Sequence, residues 1–236
     1  MYGYRYGFGL DPTYLLIIIG MLITMAAQGI LKSTVAANKK RRSASGLRGQ
    51  DVAQRVLHAA GITDVQIVAV GGSLTDHYDP RSKRVCLSED VFNSTSLVAI
   101  GVAAHECGHA IQHHKGYVPL SFRSTIVPVA NIGSQLSWPL FLAGLILSFR
   151  PLLLAGIILF SLAVLFQLVT LPVEFNASSR ALQMLEGLGI VGADEKSSVR
   201  KVLTAAALTY VASLAASLLQ LLRLIMLAGG GRRRRG

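Results

Sequence analysis

Four long stretches of this chain carry no charged side chain, and they limit its possible folds more than any other feature. They are Tyr14 to Leu31, the segment between Arg123 and Arg150, Pro151 to Val173, and Val202 to Leu222. An α-helix rises 1.5 Å per residue, so about 20 apolar residues cross a hydrocarbon core about 30 Å thick. Inside lipid, a helix also satisfies its own backbone hydrogen bonds. The stretches therefore predict an anchor helix over 14–31, a transmembrane hairpin over 126–173 turning at Arg150-Pro151, and a fourth helix over 202–228 that is fully or partly inserted. A signal peptide would have a shorter apolar core and a positive flank, whereas Arg5 is offset by Asp11, so the first stretch is expected to remain as an anchor. Composition agrees: only 15% of residues are charged, against about 25% in soluble domains.

The net charge of +11 could suit nucleic acid, but the sequence contains no nucleic-acid motif and its basic residues flank the apolar stretches. A bilayer surface is the expected partner. Lys39-Lys40-Arg41-Arg42, with Lys32 and Arg48 on either side, follows the first stretch directly. Basic residues near a span are retained in the cytoplasm, which predicts a cytoplasmic lobe over 32–125 and a second cytoplasmic segment over 174–201. The basic tail over 229–236, with four arginines, then falls outside; the twelve basic residues from Lys32 to Arg123 outweigh it.

Within the first lobe, Asp51 to Ala60 places Val52, Val56 and Leu57 on one side of a helix, with Gly61 as its stop. Val65 to Val70 and Arg84 to Leu87 read as short strands. Between them, Asp76-His77-Tyr78-Asp79-Pro80 is either a turn, since Asp and Pro favour turns, or a strand edge that holds an extended peptide. A helix follows, capped at Asn93, Ser94 or Thr95 and stopped at Gly116; its apolar half, Leu97 to Ala104, is expected to be buried.

That helix carries Ala104-His105-Glu106-Cys107-Gly108-His109-Ala110. Residues four apart share a helix face, so His105 and His109 can both reach one Zn²⁺, with Glu106 beside them as a base for a water on the metal. The competing reading is two histidines on an ordinary core helix. Catalytic zinc takes three protein ligands and leaves a position open for water, so a third ligand has to come from elsewhere. Glu174, where the hairpin leaves the membrane, is a candidate, because a carboxylate there is costly without a partner. Alternatively, Glu174 is an interfacial carboxylate paired with Arg180 or a lysine. His113 and His114 are read as surface residues near a helix C-terminus, and Cys86 and Cys107 as free thiols.

With these segments placed, the chain resembles the YugP-like family of neutral zinc metallopeptidases of bacterial membranes. The resemblance is carried by Thr75 to Pro80, Ala104 to Gln112, Thr170 to Ala177 and Leu203 to Val211. It implies a membrane-integral peptidase with one zinc ion on His105, His109 and Glu174, and with Glu106 as general base. The chain is also distantly similar to the HtpX-type membrane proteases, in which an aspartate stands four residues after the ligand glutamate. Here that position is Ser178, which can hydrogen-bond a ligand histidine but adds no negative charge. His77, Tyr78 and Arg180 are the candidates to stabilise the oxyanion. The expectation is an α+β protein with about four transmembrane helices and a small gluzincin-like lobe, cleaving protein or peptide substrates at the cytoplasmic surface of the bacterial plasma membrane. The alternative is a non-catalytic membrane scaffold or adaptor with a structural zinc site.

Overall fold

The computed structural model describes residues 11–230. The flank containing Arg5 and the four arginines of the basic tail lie outside them. The elements are α1 (Tyr14–Lys39), α2 (Gly49–Ala59), β1 (Gln66–Val70), β2 (His77–Asp79), β3 (Arg84–Ser88), α3 (Glu89–Phe92), α4 (Leu97–His114), α5 (Val118–Ile146), α6 (Arg150–Gly187) and α7 (Ala193–Gly230). The protein is mostly helical with one small sheet. α1, α5, α6 and α7 are each long and apolar enough to cross a membrane.

These four helices continue past the charge-free stretches that predict them. α6 and α7 have 38 residues each, or about 57 Å at 1.5 Å per residue, nearly twice the thickness of a hydrocarbon core. The segment expected as a cytoplasmic connection over 174–201 is therefore the end of one long helix, a short turn with Gly189 at φ 63°, and the start of the next. Pro172 does not end α6 but lies inside it. The last apolar stretch is part of one continuous helix: α7 runs along α1, with Ala216 against Gly20 and the Arg223 guanidinium 4.8 Å from the Tyr14 ring. α5 and α6 form the expected hairpin, turning through Ser148 at φ 52°, with Pro151 in the first turn of α6 where its missing N–H costs nothing.

In the lobe, the sheet has the order β1-β3-β2, with β1 parallel and β2 antiparallel to the central β3. Asp76 to Asp79 thus resolves as the approach to an edge strand and the strand itself. The Asp76 carboxylate anchors it by accepting hydrogen bonds from the backbone N–H (2.7 Å) and hydroxyl (3.1 Å) of Ser88. The amphipathic helix α2 buries Val52, Val56 and Leu57 against α4, and Gly61 beyond it adopts φ 71°. The N-cap of α4 is Ser96, one residue after the expected positions; its hydroxyl accepts from the Ala99 N–H. The predicted burial of the first half of α4 holds, with Leu97, Ile100 and Ala103 all enclosed.

α4 and α6 come unusually close. A side chain on Gly108 would place its Cβ 2.5 Å from the Ala177 carbonyl oxygen. The missing side chain lets the two backbones touch, and this contact sets His105 and His109 of α4 opposite Glu174 of α6.

Candidate metal centre

His105 and His109 project from the face of α4 that meets α6. Their rings are 4.8 Å apart and nearly perpendicular. Glu174 stands opposite, almost fully buried, with its Oε2 3.2 Å from His105 Nε2 and 3.7 Å from His109 Nε2. One ligand atom from each residue falls within a set spanning no more than 4.8 Å. Bonds of 2.0–2.1 Å in a tetrahedral arrangement separate ligand atoms by about 3.4 Å, so both the spacing and the donor set of two imidazoles and a carboxylate fit zinc.

Hydrogen bonds fix the orientation of both rings. The Arg180 guanidinium can only donate, and its Nε donates to Asn176 Oδ1 at 2.7 Å. Gln112 Nε2 donates to the same oxygen at 3.0 Å and to the Val173 carbonyl at 2.8 Å. That leaves Gln112 Oε1 facing His109 Nδ1 at 3.0 Å. An amide oxygen only accepts, so this network assigns the His109 proton to Nδ1 and leaves the Nε2 lone pair directed at the cluster. Ser178 Oγ lies 3.1 Å from His105 Nδ1 and can accept from it in the same way. Ser178 sits one helical turn beyond Glu174, so α6 presents both residues to the same histidine.

The sequence candidates separate on inspection. His77 lies on β2 at the cleft, with Nδ1 2.7 Å from the Thr75 carbonyl oxygen. Tyr78 lines the same cleft, but its hydroxyl is 2.8 Å from His113 Nδ1, and burial, assisted by the charges of Asp64 and Asp79, pushes its pKa up to about 12. His113, expected only as a surface residue, thus has a partner. Arg180 is joined to Asn176, with its guanidinium 6.0 Å from the Tyr117 ring. Instead of Arg180, the cationic side chain beside Glu174 is Arg123 on α5, at 3.5 Å.

Sequence reasoning missed Gln112, Asn176, Arg123 and Tyr210. For Gln112 a signal existed: it lies three residues after His109, on the same helix face. Tyr210 lines the cavities on both sides of the cluster, and a lone phenol within a charge-free stretch hinted at it. Cys107 faces the other way, with its thiol 3.6 Å from the Ala53 carbonyl oxygen and fully buried. It and Cys86 are free cysteines, as expected.

Comparison with known proteins adds the family. A family model described as "Putative neutral zinc metallopeptidase" matches residues 13–229. A relative from Bacillus subtilis (strain 168), "Putative membrane protease YugP", is 47% identical over 219 residues, covering 90% of this chain and 97% of the relative. No solved structure matches the chain.

Proposed function

Because the chain belongs to the neutral zinc metallopeptidase family, we propose that it is a membrane-integral, zinc-dependent endopeptidase of the gluzincin type. It hydrolyses peptide bonds of membrane-associated proteins at the cytoplasmic face of a bacterial plasma membrane that it crosses several times. The observation that carries this reading is the convergence of His105, His109 and Glu174 on one point beside Glu106, in a cleft that stays open.

His105, His109 and Glu174 would hold the metal. A zinc ion there would supply Lewis acidity and make a water nucleophilic near neutral pH. Glu106, adjacent to His105 on α4 and lining the cleft, takes the proton from the attacking water and returns it to the leaving amide nitrogen. Donors for the developing oxyanion come from the cleft wall, where His77, Tyr210 and Arg123 are grouped. Tyr78 first has to release His113 to take part, and Arg180 acts through Asn176 and Gln112 to position His109. β2 is an edge strand beside the cluster, so an extended substrate can add to it as a further strand.

A non-catalytic scaffold with structural zinc would close the fourth ligand position with a protein group. The open cleft and the carboxylate of Glu106 favour catalysis. The deciding experiment is comparative proteomics of membrane fractions carrying wild-type protein or Glu106→Gln, together with zinc analysis of both purified proteins. The expected result is equal zinc content, with cleavage products only in the wild type; the same products in both would refute the mechanism.

A further inference from the structure

The cleft continues on both sides of the cluster, and the two sides differ. One cavity, of about 320 Å³, runs along β2 and α5 and carries the polar groups described above. The other, of about 280 Å³, lies between α1, α4 and α7; most of its wall is apolar, with Leu31 and Val35, Val102, and Ala206 and Ala207, while Gln28, Lys32, Asp76 and Ser178 also reach it and Leu74 stands at its rim. His105, Glu106 and Glu174 line both. We infer that the second cavity is a specificity subsite that takes one aliphatic side chain of the substrate, next to the bond to be cut; this rests on the peptidase reading.

Four observations support this assignment. The cavity is just below the range of about 300–1,000 Å³ typical of sites that enclose a whole small ligand, and so it suits a side chain on a longer chain. Its floor is the metal-ligand cluster itself, so its occupant belongs to the molecule whose carbonyl reaches the cluster, which a hydrocarbon tail of a lipid does not provide. Leu74 at the rim is 83% exposed and held at φ 60°, a conformation that disfavours every side chain, so its apolar surface is presented to the opening at a conformational cost. The walls on α1 run from Leu31, the last residue of the charge-free stretch, toward Lys39, in the part of the helix that the basic cluster predicts to meet the membrane surface.

The test measures binding, with the full chain in nanodiscs. Zinc-loaded Glu106→Gln protein is titrated with two fluorescent peptides, Gly-Ser-Gly-X-Gly-Ser-Gly with X either Leu or Gly; empty nanodiscs correct for partition into lipid. The expected result is that the Leu peptide binds at least about tenfold more tightly, a difference of the size that a few methylenes confer in an apolar pocket. Ala206→Phe, which fills the cavity, should abolish the difference. Leu74→Gly should reduce it, and glycine is at ease at that φ, so this variant does not threaten folding. Equal binding of the two peptides overturns the assignment, as does a preference for Leu that survives both variants. The peptidase reading fails separately: if Leu selectivity follows the cavity but wild-type protein with its zinc verified leaves the Leu peptide intact, the subsite stands and catalysis does not.

Discussion

Gln112 sets the direction of His109. Its side-chain oxygen lies 3.0 Å from His109 Nδ1, while its nitrogen is committed to Val173 and Asn176 on α6. The side chain is fully buried, so no water can replace it freely. Gln112→Ala should weaken zinc binding by about 10- to 100-fold, the usual effect of removing a partner that orients a metal-bound histidine. Competition with a chromophoric chelator measures it, and wild-type affinity in the variant would reject the relay.

Arg180 acts one step further back. If it only packs on Tyr117, Arg180→Lys and Arg180→Met should behave alike. If it fixes Asn176, lysine, which still donates, should keep more of the zinc affinity than methionine. The same chelator competition separates the two outcomes.

Glu174→Ala removes a ligand and leaves two histidines, so zinc content by elemental analysis should fall well below one ion per chain. Adding a chelator to the wild type should lower its melting temperature, because a metal that binds only the folded state stabilises it by mass action, by about 2.7 kcal/mol at a hundredfold excess over Kd. Glu174→Ala should show no such drop.

Gly108→Ala puts a methyl group where the α4 and α6 backbones touch, 2.5 Å from the Ala177 oxygen. The helices must separate, at a cost of about 1–3 kcal/mol. Because that contact also sets the distance from Glu174 to the histidines, zinc affinity should fall together with thermal stability. A loss of stability with unchanged affinity would show that the contact packs the lobe without shaping the site.

Burial pushes the Cys107 thiol well above the ordinary range, and burial with the nearby Asp79 charge raises that of Cys86. An acid whose folded-state pKa is raised favours the folded state until pH exceeds the ordinary thiol pKa, and stability declines above that point. At pH 8 both thiols should resist alkylation in the native protein and react rapidly in denaturant. Mass spectrometry of iodoacetamide-treated protein checks this.

The residues that sequence reading could place are those whose information is local. A charge-free run long enough to span, a pair of histidines one helical turn apart, and a carboxylate at the end of a span can each be recognised in one segment, because helix geometry fixes the relation between near neighbours. Even the pairing of Glu174 with the helix of His105 and His109 could be suggested from which side of the membrane each should occupy.

Only the tertiary structure decided how the pieces meet. The charge-free stretch ends at Val173, but α6 continues past it through Pro172 to Gly187, and Glu174 and Ser178 therefore emerge on one rigid helix face. Gly108 then allows that face to touch α4, and the contact brings Gln112 to Val173 across 61 residues of chain. The same packing joined Arg180 to Asn176 and brought Arg123 and Tyr210 to the edge of the site. No periodicity encodes such contacts, because they depend on the separation and rotation of two helices, which the packing of the whole bundle sets.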